Sequence, residues 1–199
     1  MEQGDARGEV WRQPLFLRPL QLELFGGAEA GFHVRREGGA SVPPDDAGPS
    51  IARLLNDIYP KVRGGVVCMI TAARLQDLLP GRSGPLWLGV ALHTHFPRRD
   101  PADLRILHWS NRPAFEVGVE KAVFCDVTIA VTSRERTIVD LVRYGRRVGG
   151  SATAARCLRS YVAAGGTREA VRGMADAVRM PHPARLALDV LLQGLGDLS

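Results

Sequence analysis

The chain is short of several things. Its 199 residues include three cysteines and two lysines, and aromatic residues make up 6%. Cys68, Cys125 and Cys157 are far apart and form no C-x-x-C pair, which excludes a disulfide framework and a zinc ribbon. Each stands among apolar neighbours, as in Val67-Cys68-Met69 and Phe124-Cys125, so buried, reduced thiols are expected. No apolar run approaches the roughly 18 residues that suggest a membrane span. The polar start Met1-Glu2-Gln3-Gly4-Asp5 lacks a signal peptide's apolar core. A cytoplasmic protein without a membrane partner is expected. Also absent are the phosphate-loop, dinucleotide-binding, nucleophile-elbow and H-E-x-x-H patterns. His93-Thr94-His95 offers two imidazoles, but no nearby cysteine or paired carboxylate completes a metal site. The sequence therefore predicts no catalytic residue, no metal and no cofactor.

What is present is arginine. Apart from Lys61 and Lys121, every one of the 26 basic side chains is an arginine, and the net charge is +5. The charge is uneven. Residues 1–60 hold six arginines against nine acids, and residues 61–199 hold 20 bases against 12. Residues 134–185 alone carry eleven arginines and four acids. A basic region of this kind suits an acidic partner such as nucleic acid. Arg143, Arg146 and Arg147 cluster where a helix is expected to end. Two readings stand side by side there: complementing the helix dipole, and contacting phosphates.

The pattern changes along the chain. Residues 1–50 show weak periodicity, broken by prolines and glycines, with one alternating stretch at Leu20–Phe25. They are expected to be the least rigid part. Ser50 should cap a helix carrying Ile51, Leu54, Leu55 and Ile58, stopped by Pro60. Val66–Ile70 reads either as a short buried strand or as the start of a helix. Leu86–Val90 and Leu104–Trp109 read as strands. Val117–Phe124 and Val127–Val131 read as a hairpin turning at Cys125-Asp126. Helices follow: one from Thr132, one from Ser151 to Ala164, one capped by Thr167, and one from Ala184 to Leu195. Strands followed by helices predict an α+β (mixed α/β) fold, a small mixed sheet with a hairpin, covered and followed by a C-terminal run of helices.

At the junction, Thr132-Ser133-Arg134-Glu135 fits a capping box with Thr132 as N-cap and Glu135 reaching back. Arg136 and Asp140 have i,i+4 spacing and can pair on one helix face, and Thr137 can bond back to the preceding turn. Thr132, Glu135, Arg136, Thr137 and Asp140 are thus expected to form a structural corner.

This stretch resembles the strand–turn–helix signature of AbiEi-type antitoxins and transcriptional regulators of abortive-infection, type IV toxin–antitoxin systems, with Arg136-Thr137-Ile138-x-Asp140 as its core. Gly64-Gly65-Val66-Val67-Cys68-Met69-Ile70-Thr71-Ala72 looks like the family's G-V-x-C-L-x-S-A entry. Leu86-Trp87-Leu88-Gly89-Val90 looks like its V-W-V-A-V strand, and Gly118-Val119-Glu120 like its G-V-E. The ordered set covers about residues 51–195. The implied organisation is an antitoxin domain over 51–199, preceded at 1–50 by a divergent or truncated segment where the family carries a winged helix. Gly31-Phe32-His33-Val34-Arg35 resembles the wing only faintly. Leu75-Gln76-Asp77-Leu78-Leu79 departs from the family's hydrophobic-His-Gly-Leu-Thr stretch. The resemblance implies a non-enzymatic antitoxin-like regulator in phage defence. It would be paired genetically with a nucleotidyltransferase-like toxin, without a stable complex, and would bind operator DNA as an autorepressor. The alternatives are a nuclease-like enzyme relative and an interaction module that has lost DNA binding. The nuclease would need a carboxylate cluster with a nearby lysine, and no lysine follows Lys121.

Overall fold

A computed structural model describes residues 49–94, 103–124 and 126–194. Among these residues five strands form one mixed sheet: β1 (Val66–Val67), β2 (Leu86–Ala91), β3 (Leu104–Trp109), β4 (Val119–Phe124) and β5 (Val127–Thr132), in the order β3-β2-β1-β5-β4. β1 runs parallel to β5 and antiparallel to β2, β3 lies parallel to β2, and β4 and β5 form the expected antiparallel hairpin. Phe124 pairs with Val127, so the hairpin turns through two residues, the second being Asp126 at φ +64°. Positive φ is the conformation that such a tight turn demands. The fold is mixed α+β, as the sequence predicts.

Among the described residues, seven α-helices accompany the sheet: α1 (Ile51–Asp57), α2 (Met69–Leu75), α3 (Pro113–Glu116), α4 (Arg134–Arg143), α5 (Ser151–Ala163), α6 (Arg168–Ala177) and α7 (His182–Gln193). Among the described residues no helix is long and apolar enough to cross a membrane. Val66–Ile70 proves to be both of the expected things, a two-residue strand followed at once by α2. The junction is tight enough to hold buried Met69 at φ +56°. α3 was not predicted, and β4 starts two residues after the expected Val117. α7 begins at His182 rather than Ala184, because Pro183 sits in its first turn, where a missing N–H leaves no hydrogen bond unmade.

The pleat divides the core in two. Val67, Leu86, Leu88, Val90, Leu104, Ile129 and Val131 pack with α1 in one cluster. Val66, Trp87, Leu107 and Trp109 pack with the C-terminal helices in the other. α4 lies at the centre of that second layer, packed against α2, α5, α6 and α7. With neighbours on so many sides, its polar Arg136, Thr137 and Asp140 are buried. On α4, Ile138, Val139 and Leu141 are buried and Val142 is half-buried. Cys68 and Cys157 are free, buried thiols. Cys125 and His95, like residues 1–48, lie outside the described residues.

Candidate functional site: the strand–helix corner and its arginine-rich end

α4 starts one residue later than the capping-box reading placed it. Thr132 remains in the ladder, paired with Val119. Ser133 leaves the strand (φ −58°, ψ 167°) and is the N-cap, its side chain accepting from the Arg136 amide at 3.2 Å. Thr132 is therefore not the N-cap, since the hairpin holds its backbone extended. Glu135 does not reach back either; its carboxylate accepts from the Tyr161 hydroxyl at 2.7 Å and so fastens α5. Burial, reinforced by that carboxylate, pushes Tyr161 up to about 12. The misplaced cap has a simple cause. The S/T-x-x-E pattern singles out Thr132, whereas the real cap begins Ser133-x-x-Arg136 and lacks an acidic N3 residue.

Arg136, Thr137 and Asp140 meet at this corner. Arg136 and Asp140 form an ion pair, Nε to Oδ2 at 2.9 Å, with side-chain exposures of 2% and 0%. The guanidinium also donates to the carbonyls of Val117 at 2.6 Å and Ala114 at 3.4 Å, and lies 5.2 Å from the centre of the Trp109 ring. Arg136 thus holds the α3 segment against α4. Gly118, at φ +63°, is the hinge of that segment. Its carbonyl accepts from the Ser133 amide at 2.8 Å, and a Cβ there would stand 2.9 Å from the Arg136 Cβ and 2.8 Å from Met174 Cε. Only glycine meets both requirements without strain. The Thr137 hydroxyl lies 2.7 Å from that of Thr132.

Gln76, which sequence reasoning passed over, closes the corner from α2. Its amide nitrogen donates to the Thr132 carbonyl at 2.5 Å, and its amide oxygen faces the Thr137 hydroxyl at 3.4 Å. Trp109 was read only as the end of a strand. It roofs Arg136 and meets Phe115 edge-on at 5.1 Å.

Electrostatically the corner is a closed place. Among the described residues, Asp140 Oδ1 and Trp109 Nε1 have no hydrogen-bond partner. With one oxygen unserved, burial outweighs the Arg136 attraction and raises the Asp140 pKa above its ordinary value. The neighbouring Cys68 thiol is pushed up strongly, first by burial and then by the Asp140 charge. This is opposite to the shift that activates a cysteine nucleophile.

At the other end of α4 the three predicted arginines do lie together. Arg143 closes the helix and sits over the Tyr144 ring at 5.3 Å. Arg146 and Arg147 follow in a 3-10 turn, Gly145–Arg147. All three are exposed and make no ion pair among the described residues. Gly149 and Gly150, at φ +84° and +80°, then deliver the chain into α5, whose N-cap Gly150 supplies no side-chain acceptor. The positive end of the α5 dipole therefore adds to the same basic surface. No model of a known protein family and no curated protein matches the chain.

Proposed function

We propose that the chain is a non-catalytic, antitoxin-like regulator of the AbiEi type whose exposed arginines contact nucleic acid. The observation that carries the reading is at the corner. The resembled motif residues Arg136, Thr137 and Asp140 interlock there rather than scatter. In the stretch that departs from the pattern, Asp77, standing where the pattern has glycine, adopts φ +60°, a conformation that glycine takes readily. Aspartate is among the few non-glycine residues that tolerate this conformation. Gln76, in the place of the pattern's histidine, supplies a polar contact to the corner.

Arg143, Arg146 and Arg147 are the phosphate-contacting groups in this reading. Such contacts read charge rather than bases. The test of the partner is a gel-shift titration on duplex DNA at two salt concentrations. Replacing all three by alanine should flatten the log–log salt dependence by a slope of about one per lost contact. Identical slopes would remove the cluster from any phosphate interface. They would favour the interaction-module reading, which the exposed Leu186 and Val190, one turn apart on α7, support. The antitoxin role is tested by co-expression with a nucleotidyltransferase-like toxin encoded beside this chain. Rescue of growth is expected, and continued toxicity would refute the role.

A further inference from the structure

A hollow of about 470 Å³ lies over part of the sheet face that carries Val66; half-buried Val119 and Ala130 floor it, with Val66 buried beneath and Tyr59 and Phe115 among its walls. That size falls within the ~300–1,000 Å³ typical of small-ligand pockets. The floor is flat because β-sheet neighbours make it: Val66 pairs directly with Ala130. The Tyr59 wall is fixed in advance, since its hydroxyl donates to the Gly65 carbonyl at 3.0 Å and accepts from the Ala130 amide at 2.7 Å.

Among the described residues that line this hollow, the only charged side chain is a cation. Arg63 stands at the rim, exposed and without an ion pair among the described residues. Lys121 pairs with Ala130 in the ladder, and residues paired in this way point to the same face, so it is a second exposed cation beside the floor. No carboxylate among the described residues lines the hollow. Next to Arg63, Gly64 turns at φ +69° with open space where a side chain would be, which keeps the rim low.

We propose that this hollow binds a small organic anion with a flat ring, the ring lying on Val119 and Ala130 and the anionic group held by Arg63. Apolar contact supplies the seat, and the unpaired guanidinium supplies selection for charge. The site is separate from the arginine cluster at the end of α4, and its test does not depend on nucleic-acid binding.

The probe is 1-naphthyl phosphate, titrated into the full chain by fluorescence anisotropy, with uncharged 1-naphthol as control. Saturable binding of the phosphate, tighter than that of naphthol, is expected. Arg63→Glu should weaken the phosphate by about tenfold or more while leaving naphthol unchanged. Ala130→Leu, which fills the floor, should weaken both. Arg63 is exposed, so its variant should fold and decides the matter even if Ala130→Leu does not. Absence of saturable binding to the unaltered chain, or an unchanged affinity in Arg63→Glu, overturns the proposal.

Discussion

Arg136 and Asp140 carry opposite charges into a place without water, and their worth depends on what each is compared with. Removing one partner leaves the other charge buried, so Asp140→Ala should lower stability by about 3–5 kcal/mol. Asp176→Ala, which loses an exposed partner of Arg185, should cost far less. Equal, small losses in urea melts would show that the corner does not depend on the pair. An apolar replacement of both, Arg136→Met with Asp140→Leu, should recover only part of the loss. The carbonyls of Val117 and Ala114 would lose their donor, and unmade buried hydrogen bonds are costly.

The same residue sets a pH dependence of unusual sign. The folded state holds the Asp140 pKa above its ordinary 3.8, so between that value and the raised one the folded chain binds more protons than the unfolded chain. Stability contributed by this group therefore falls as pH rises through that window and is level above it. Asp140→Asn cannot titrate there. The stability of the native chain relative to Asp140→Asn should decline from pH 4 upward and then flatten. A relative stability that rises with pH would mean that Arg136, not burial, governs the group.

Among the elements, α4 shows what a sequence pattern can and cannot convey. The i,i+4 spacing of Arg136 and Asp140 and the apolar Ile138-Val139-x-Leu141 run are local, and both were readable. That the same helix would be enclosed by α2, α5, α6 and α7 was not, because each of those neighbours is set by tertiary packing. Gln76 escaped notice for a related reason: its partners, Thr132 and Thr137, lie far along the chain. α1 depends on a similar distant contact. Its entry is tied down by a hydrogen bond from the Gly84 amide to the Pro49 carbonyl and by a bridge between Ser50 and Ser83. Residues 49 and 50 are therefore held to the segment at Ser83 and Gly84. Two chains beginning at residues 49 and 51 should differ by about 1–2 kcal/mol, the net worth of one or two backbone hydrogen bonds. Coincident urea midpoints would show that this tie contributes nothing.

At the scale of the whole molecule, strand identities were legible and strand order was not. Alternation and turn residues mark β2, β3 and the β4–β5 hairpin, but nothing local places β1 between β2 and β5. Two residues are too few to show a period, and both of their pairings are non-local. The hollow beside Val66 was hidden for the same reason, since its floor exists only once Val66 and Ala130 are neighbours. The amides of Val66 and Val67 should therefore be among the most protected in hydrogen exchange, opening only with global unfolding. Exchange as fast as at the edge strand β3 would mean that the sheet opens in halves.

The central position of so short a strand also bears on how the chain is made. On the ribosome, β1, β2 and β3 emerge before β5, and until β5 arrives the Val66–Val67 edge has a partner on one side only. At roughly 5–20 residues per second, synthesis from Val67 to Thr132 takes about 3–13 seconds. For that interval the nascent chain presents an apolar, unpaired strand edge, the kind of surface that chaperones hold and that aggregates recruit. Release from that state waits on Ile129–Val131 reaching the sheet, and on the Ser133–Arg136 cap turning the chain so that α4 can cover it.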